Sequence, residues 1–323
     1  MINVILVTTS TVIAALWLYG RLTRSTWYDE VSIHPIQTSR QDSQKLEDAI
    51  FTITGAFCGP AHLERLEKEW AERATVYRVW YPLDLFSMKK AVDAVYRSIR
   101  FHESELGHRR FYIMGYSLGG LIGLLVWMKA MRCDPEFART KLRLVIHDSP
   151  LGFQHLLIPG GVVVPAKARR AWMWLGANLW WMVRPGPLLN WIARPFMHLA
   201  FPYLPERLLD EGADRNQIRE HRQFLARNRA SLVVAKIAAI GRARKLFGAE
   251  RMPVVAICCG LDEVVAGDEA VAGWRQLFPS LHVIHLPEAT RHISVPENHT
   301  AYAAADAAAF AWLEAFRLSE QEA

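Results

Sequence analysis

The residues best suited to chemistry in this chain are a serine, an aspartate and a histidine that each follow a predicted strand. Ser117 is the centre of a Gly-x-Ser-x-Gly pentapeptide, and Asp262 and His292 come later in the chain. A serine hydroxyl is a weak nucleophile, so it needs a histidine as base and an acid that orients the histidine. These three residue types in this order predict nucleophilic catalysis through a covalent intermediate.

The sequence around Ser117 fits this chemistry. A short apolar strand precedes the pentapeptide and an apolar helix follows it. The turn between them is so tight that Ser117 must adopt a strained conformation, which raises its hydroxyl above the strand end. Gly115 and Gly119 have no Cβ atom, so the strand and the helix can pass close together. The helix N-terminus faces the hydroxyl, where free N–H groups favour developing negative charge.

The acid and the base both have competitors. Asp148 also follows a predicted strand, so it could orient the same histidine, or it could hydrogen-bond its own loop. Asp262 stands two residues after a glycine at a strand end, which makes it the preferred acid. Among the other histidines, His285 lies inside a predicted strand and His299 lies in the following loop. His292 is therefore the preferred base.

The negative oxygen of the transition state needs preorganised N–H donors, each worth about 2.7–4 kcal/mol. Leu118 follows the nucleophile, so its N–H is predicted to supply one donor. The second is expected from the loop after the first core strand, where Ala56 N–H is the first choice and Phe57 N–H is the runner-up. An ordinary strand-to-helix turn is the alternative role for this loop.

Strands and helices alternate around these residues, which predicts an α/β fold with a mostly parallel sheet and helices on both faces. Ligands of such sheets gather at the carboxyl ends of the strands, where the candidate residues lie. The predicted strands cover 49–54, 75–80, the run before Ser117, 142–147, 253–259 and 281–286. The predicted helices cover 61–73, 87–103, the run after Ser117, 268–278 and 302–318.

The chain divides into four predicted parts. They are an N-terminal apolar anchor helix over 1–24, the first part of the core over 25–150, an inserted helical lid over 151–250, and the second part of the core over 251–323. Residues 25–46 are polar and mixed, which predicts a linker and no antiparallel strand before the core.

The N-terminal segment is predicted to hold the protein on a membrane. Residues 2–19 contain no charged side chain and are just long enough to cross a hydrocarbon layer of about 30 Å. Arg21 and Arg24 follow directly, which places the catalytic part in the cytoplasm by the positive-inside rule. A buried first helix is the alternative, because the hydroxyl side chains from Thr8 to Thr11 dilute the apolar run.

The lid segment and the overall charge also point to an amphiphilic partner. The net charge is +6 without a Lys/Arg block, so a membrane surface or an anionic amphiphile is expected and nucleic acid is not. No acidic residue occurs between Pro150 and Pro205. The aromatic side chains there either pack the lid onto the sheet or face a lipid interface. They include Trp172, Trp174, Trp180, Trp181 and Trp191.

The four cysteines show no metal-binding spacing, and neither a metal nor another cofactor is implied. We interpret them as reduced apolar fillers in a reducing compartment. Two of them are adjacent in a predicted strand, so their side chains should point to opposite faces of the sheet. The four are Cys58, Cys133, Cys258 and Cys259.

Three motifs together resemble the α/β-hydrolase superfamily, specifically its lid-bearing, lipase- or esterase-like serine hydrolases. They are the elbow at 115–120, the Gly-Leu-Asp at 260–262 and the Arg-His at 291–292, and the likeness covers roughly 45–318. The usual His-Gly of the oxyanion loop is here Thr54-Gly55. The resemblance implies hydrolysis of an ester, amide or thioester through an acyl-enzyme. Members that use an aspartate nucleophile, such as epoxide hydrolases, are disfavoured by the serine.

The sequence thus favours a membrane-associated serine hydrolase that acts on a lipid or other acyl ester. A non-catalytic lipid-binding or scaffold protein of the same fold is the alternative from another class. Within the enzymes, a thioesterase or an acyltransferase stays open, since both would use the same nucleophile.

Deleting residues 1–24 should release the protein from membranes and leave its activity in place, because the predicted catalytic core begins near residue 45. Fractionation of cells expressing the full-length and truncated chains would measure this. Strong membrane retention of the truncated chain at high salt would identify another region as the main anchor. Failure of the truncated chain to fold would instead support a buried first helix.

Overall fold

The computed structural model describes residues 31–36, 47–55, 63–80, 88–152, 155, 171, 253–260, 262, 265–288, 290 and 299–321. The predicted anchor and nearly all of the predicted lid lie outside these residues. Within the described part of the chain, no helix combines the length and the apolar character needed to cross a membrane.

The core is a seven-stranded sheet in the order β1-β3-β2-β4-β5-β6-β7. Every pairing from β2 to β7 is parallel, and only β1 is antiparallel, to β3. The mostly parallel sheet predicted from the alternation of strands and helices is confirmed. The strands are β1 Ser32–Pro35, β2 Asp48–Ile53, β3 Thr75–Trp80, β4 Arg110–Tyr116, β5 Leu142–His147, β6 Val254–Cys258 and β7 His282–His285.

Strand β1 corrects one prediction, because residues 25–46 are not simply a linker. Ile33 pairs with Val79, and the N–H of Ile36 donates to the carbonyl of Val76 at 2.9 Å. β1 is four residues long and contains a histidine and a proline, which is typical of a short edge strand. A segment of four residues is too short to show an alternation of apolar and polar side chains in the sequence.

Helices cover both faces of the sheet, as predicted. Helices α2, α3, α4 and α5 pack on one face, and α1 and α6 pack on the other. The boundaries differ from the predicted ones by a few residues, and His299 begins α6 instead of lying in a loop. The helices are α1 Glu64–Trp70, α2 Met88–Leu106, α3 Leu118–Cys133, α4 Pro135–Lys141, α5 Gly267–Leu277 and α6 His299–Gln321.

Helix α4 is a short element that the sequence reading missed. Its start is well specified, since the Asp134 carboxylate accepts a hydrogen bond from Phe137 N at 3.0 Å and Pro135 occupies the first turn. The Asp-Pro pair is its signal in the sequence, but a helix of only seven residues adds no clear apolar periodicity to that signal.

The apolar-filler role predicted for the cysteines is confirmed at two of the described positions and is wrong at a third. Cys258 packs in the cluster beneath α2–α5 and Cys259 in the opposite cluster, so the two side chains point to opposite faces as expected. Burial raises the pKa of both thiols. Cys133 is exposed at the end of α3, so it is not an apolar filler.

A buried ionic group attaches α1 to the sheet. The side chain of Glu67 is fully buried and accepts hydrogen bonds from Thr52 Oγ1 at 2.5 Å and from Arg78 Nε at 2.7 Å. A second nitrogen of the same guanidinium also contacts the carboxylate. Thr52 lies on β2 and Arg78 on β3, so one carboxylate ties the helix to two neighbouring strands.

Glu67→Gln should lower the free energy of unfolding by about 3 kcal/mol, because it leaves a largely buried guanidinium without its charge partner. Urea denaturation would measure the loss. Glu47→Gln is the matched control, since it breaks the exposed pair with Arg109 and should cost less than about 1 kcal/mol. Equal losses in the two variants would contradict the role given to burial.

Candidate active site

Ser117 lies in a strained turn between β4 and α3. Its backbone angles are φ 50° and ψ −117°, a combination that residues other than glycine rarely adopt. Such a conformation costs about 1–3 kcal/mol and persists only where the surrounding structure imposes it. The strained elbow predicted from the pentapeptide is therefore confirmed.

The turn is possible because two glycines allow the backbone to pass at contact distance. A Cβ atom on Gly115 would overlap the backbone of Gly119, and a Cβ atom on Gly119 would overlap the Ile53 carbonyl. The first contact closes strand onto helix, and the second presses the helix start against the end of β2. The close approach inferred for these two glycines is confirmed.

The same packing brings the end of β2 beside the helix start. The Thr54 carbonyl lies 3.1 Å from the position that a Cβ atom of Gly119 would take. Leu118 is the first residue of α3, where N–H groups have no partner within the helix. The chain that leads to Ala56 and Phe57 thus begins next to Leu118. Both of these residues lie outside the described part of the chain, so their roles stay predictions.

Two residues that the sequence reading did not single out hold the backbone of Ser117. Its N–H donates to the His147 carbonyl at 2.8 Å, and its own carbonyl accepts from Ser149 Oγ at 2.6 Å. The N–H of Gly120 donates to the same carbonyl at 3.1 Å. The last residue of β5 and a residue just after that strand therefore hold the N–H and the carbonyl of Ser117.

Asp148 lies between those two residues and is itself strained, with φ 45°. One oxygen of its carboxylate accepts from Cys259 N at 2.7 Å, and the other accepts from the Tyr302 hydroxyl at 2.8 Å. Burial and the nearby Asp148 charge raise the pKa of Tyr302 well above its usual value, so this hydroxyl keeps its proton. Tyr302 lies far from Asp148 in the sequence, so this contact is evident only in the three-dimensional structure.

Asp262, the preferred acid, follows β6 and is partly exposed. Its carboxylate accepts from Val265 N at 2.7 Å. The ligand atoms of Asp148, Asp262 and Cys259 all lie within 4.8 Å of one another, so the two candidate acids are neighbours. Burial, followed by the charges of the two aspartates, raises the pKa of the Cys259 thiol.

The segments that lead to Asp262 and to His292 run side by side. Leu286 N donates to the Cys258 carbonyl at 2.8 Å, and a Cβ atom on Gly260 would overlap the backbone of Glu288. Two residues on, Thr290 is buried and its N–H donates to the Pro287 carbonyl at 2.8 Å. His292 comes two residues after Thr290 and lies outside the described residues, so its role stays a prediction.

A buried imidazole–carboxylate pair lies beneath the elbow. His147 Nε2 is 3.0 Å from an oxygen of Asp306 on α6, and both side chains are almost fully buried. The imidazole also stacks on Tyr116, the residue before the nucleophile, with ring centroids 4.0 Å apart. The Asp306 carboxylate and the His147 imidazole therefore face each other in a part of the core that solvent does not reach.

Solved structures share this fold at low sequence identity. MGS-M2, an alpha/beta hydrolase enzyme from a Medee basin deep-sea metagenome library, is 15% identical with a TM-score of 0.55 over 89% of this chain and 96% of its own. A Bacillus megaterium epoxide hydrolase is 12% identical with a TM-score of 0.56 over 88% and 96% of the two chains. A thermophilic esterase from Thermogutta terrifontis is 14% identical with a TM-score of 0.51 over 88% and 93%.

The sequence matches no protein-family model and no curated protein. The structural likeness shows the fold: the chain has the α/β-hydrolase architecture, as its motifs suggested.

Gly119→Ala should destabilise the protein by about 1–3 kcal/mol or more, because the added methyl group meets backbone that cannot move independently. Gly267→Ala is the control, since a Cβ atom there meets nothing within 4 Å. Urea denaturation of both variants would measure the difference. An unchanged free energy of unfolding for Gly119→Ala would contradict the packing described for the elbow.

Proposed function

We propose that the protein is a serine hydrolase that cleaves an acyl ester through an acyl-enzyme intermediate. In this proposal Ser117 is the nucleophile, His292 the base and Asp262 the acid that orients the base. The N–H groups of Leu118 and Ala56 hold the oxyanion, with Phe57 as the alternative to Ala56. The observation that carries the proposal is the strained conformation of Ser117 at the start of α3, since strain of this kind collects at functional sites.

The proposed reaction has two halves. Ser117 Oγ attacks the carbonyl carbon of the ester while its proton passes to His292, and the negative oxygen is held by the two N–H groups. The C–O bond to the alcohol then breaks, and the alcohol leaves with the proton from His292. In the second half, His292 deprotonates a water that attacks the acyl-enzyme, and the acid product leaves as Ser117 regains its proton.

Position in the sheet supports Asp262 over Asp148 as the acid. The segment that leads to His292 passes against Gly260, two residues before Asp262. Both oxygens of Asp148, in contrast, accept hydrogen bonds from Cys259 N and the Tyr302 hydroxyl, which belong to the scaffold. A triad acid must direct one oxygen at the histidine, and the contacts favour Asp262 for this task.

The substrate class follows from the N-terminal sequence and the lid sequence. An uncharged run over 2–19 and a tryptophan- and arginine-rich lid would hold the mouth of the site at a membrane surface, where acyl esters of lipids are concentrated. The esterase and hydrolase neighbours support ester cleavage in general. The same nucleophile would serve a thioesterase or an acyltransferase, which differ only in the group that leaves or accepts the acyl chain. The chain has a serine where epoxide hydrolases of this fold use an aspartate.

Ser117→Ala and His292→Ala should each lower kcat by at least about a thousandfold on para-nitrophenyl esters of graded chain length, because triad members act as a unit. Ser104→Ala is the matched control, since this exposed hydroxyl near the end of α2 donates only to the Phe101 carbonyl. Circular dichroism of each variant would verify folding. Turnover by the Ser117 variant at the rate of the control would rule out the proposed nucleophile.

A further inference from the structure

Ser149 hydrogen-bonds both to the nucleophile turn and to α5, the helix that follows Asp262 in the chain. Its hydroxyl donates to the Ser117 carbonyl at 2.6 Å, while its own carbonyl accepts from Trp274 Nε1 at 2.8 Å. Trp274 is fully buried on α5, the helix that begins five residues after Asp262. Ser149 therefore links the backbone of Ser117 to α5 through two hydrogen bonds.

Asp148 makes the corresponding connection to β6 and α6. Its N–H donates to the Ile257 carbonyl at 3.0 Å, and its carboxylate accepts from Cys259 N on the same segment. The other carboxylate oxygen accepts from the Tyr302 hydroxyl on α6. Asp262 lies three residues beyond Cys259, so Asp148 holds the segment from which the acid projects.

Two residues in this hydrogen-bonded group have a strained backbone. Among the described residues, Ser117 and Asp148 are the two non-glycine residues with positive φ. They follow neighbouring parallel strands, β4 and β5, whose ends pair Tyr116 with His147. Positive φ at both places is stable only if the contacts around them impose it. The hydrogen bonds of Asp148 and Ser149 are such contacts, and almost all of their atoms are removed from solvent.

We propose that Asp148 and Ser149 are positioning residues that hold Ser117 and the segment bearing Asp262 in one fixed geometry. This inference rests on the proposed serine hydrolase function. Neither residue reacts with the substrate. A misplacement of reacting groups by about 1 Å can cost a hundredfold in rate, so the loss of these hydrogen bonds should reduce kcat more than KM.

The two possible roles of Asp148 differ in whether they need its negative charge. An asparagine can keep both contacts, because its amide oxygen accepts from Cys259 N and its amide nitrogen donates to the Tyr302 hydroxyl. A triad acid cannot be replaced in this way, since it must accept from the histidine and stabilise the imidazolium; the loss is then about 10⁴-fold. Asp148→Asn therefore separates positioning from acid catalysis.

The test measures kcat and KM of the full-length chain on a soluble short-chain para-nitrophenyl ester. Asp148→Ala and Ser149→Ala should lower kcat about ten- to a hundredfold with KM nearly unchanged. Asp148→Asn should restore kcat to within about threefold of the parent, whereas Asp262→Asn should lose about 10⁴-fold. If Asp148→Ala does not fold, Tyr302→Phe removes one of the same hydrogen bonds and should lower kcat in the same direction.

Tyr112→Phe is the matched control for stability. It also removes the hydroxyl hydrogen bond of a buried side chain, to Glu314 on α6, near the start of β4 and away from the elbow. It should lower the melting temperature about as much as Ser149→Ala and leave kcat unchanged. Equal kcat losses in these two variants would reduce Ser149 to a general stabilising role and overturn its positioning role.

The remaining outcomes separate the two proposals. Loss of kcat in Asp148→Asn as large as in Asp262→Asn would make Asp148 an acid and overturn the positioning role. Parent-like kcat in both Asp148→Ala and Ser149→Ala would overturn it as well. Parent-like turnover by Ser117→Ala in the same assay would instead sink the proposed function, and the positioning inference with it.

Discussion

The structure depends on one steric constraint: three segments of backbone meet at the elbow with no room for a side-chain carbon. Gly115 lies against the start of α3, and Gly119 lies against the end of β2. This contact forces Ser117 into its strained conformation and also determines where the loop after β2 begins. The relative placement of the nucleophile and the proposed oxyanion donors thus follows from the packing of backbone on backbone.

Buried polar contacts extend this arrangement to the other functional segments. Glu67 attaches α1, the helix that follows β2 in the chain, to β2 and β3. Asp306 on α6 lies against His147, and Tyr302 on the same helix donates to Asp148. Both helices lie on one face of the sheet, and each is attached near the ends of the strands from which the candidate residues project. Removing one partner of the Glu67–Arg78 pair would leave a buried charge without compensation, so this attachment is costly to break.

At the opposite end of α6 a further polar group completes the attachment. Glu314 contacts Arg110 and accepts from the Tyr112 hydroxyl at 2.7 Å, and the same guanidinium donates to Asp48 at 2.6 and 2.7 Å. These residues lie near the starts of β2 and β4, away from the elbow. The closing helix is therefore held at both ends of the sheet, and only the end near Asp148 bears on the site.

The sequence was sufficient to predict the central strands and the elbow, because both leave local signals. Strands β2 to β7 are rich in β-branched and aromatic residues, and the elbow has glycines at fixed spacing around Ser117. The sequence does not indicate strand β1, because four residues at a sheet edge carry no pattern. Helix α4 has its Asp-Pro start as a signal but is too short to show a helical periodicity.

The positioning contacts could not be predicted, for a different reason. Ser149 meets Trp274, and Asp148 meets Tyr302, more than a hundred residues apart in the chain. No spacing rule connects the residues after β5 to side chains of α5 and α6, which come much later in the chain. The strand-end rule placed Asp148 near the site, but only its hydrogen bonds show that its carboxylate holds the scaffold together.

The most direct test of the account is covalent labelling of the purified protein with a fluorophosphonate, followed by peptide mass spectrometry. Only a serine activated by a base reacts with such a probe at an appreciable rate. We expect one adduct, on the peptide containing Ser117, that is absent from Ser117→Ala and strongly reduced in His292→Ala. An unlabelled parent protein, or an adduct on another serine that persists in Ser117→Ala, would contradict it.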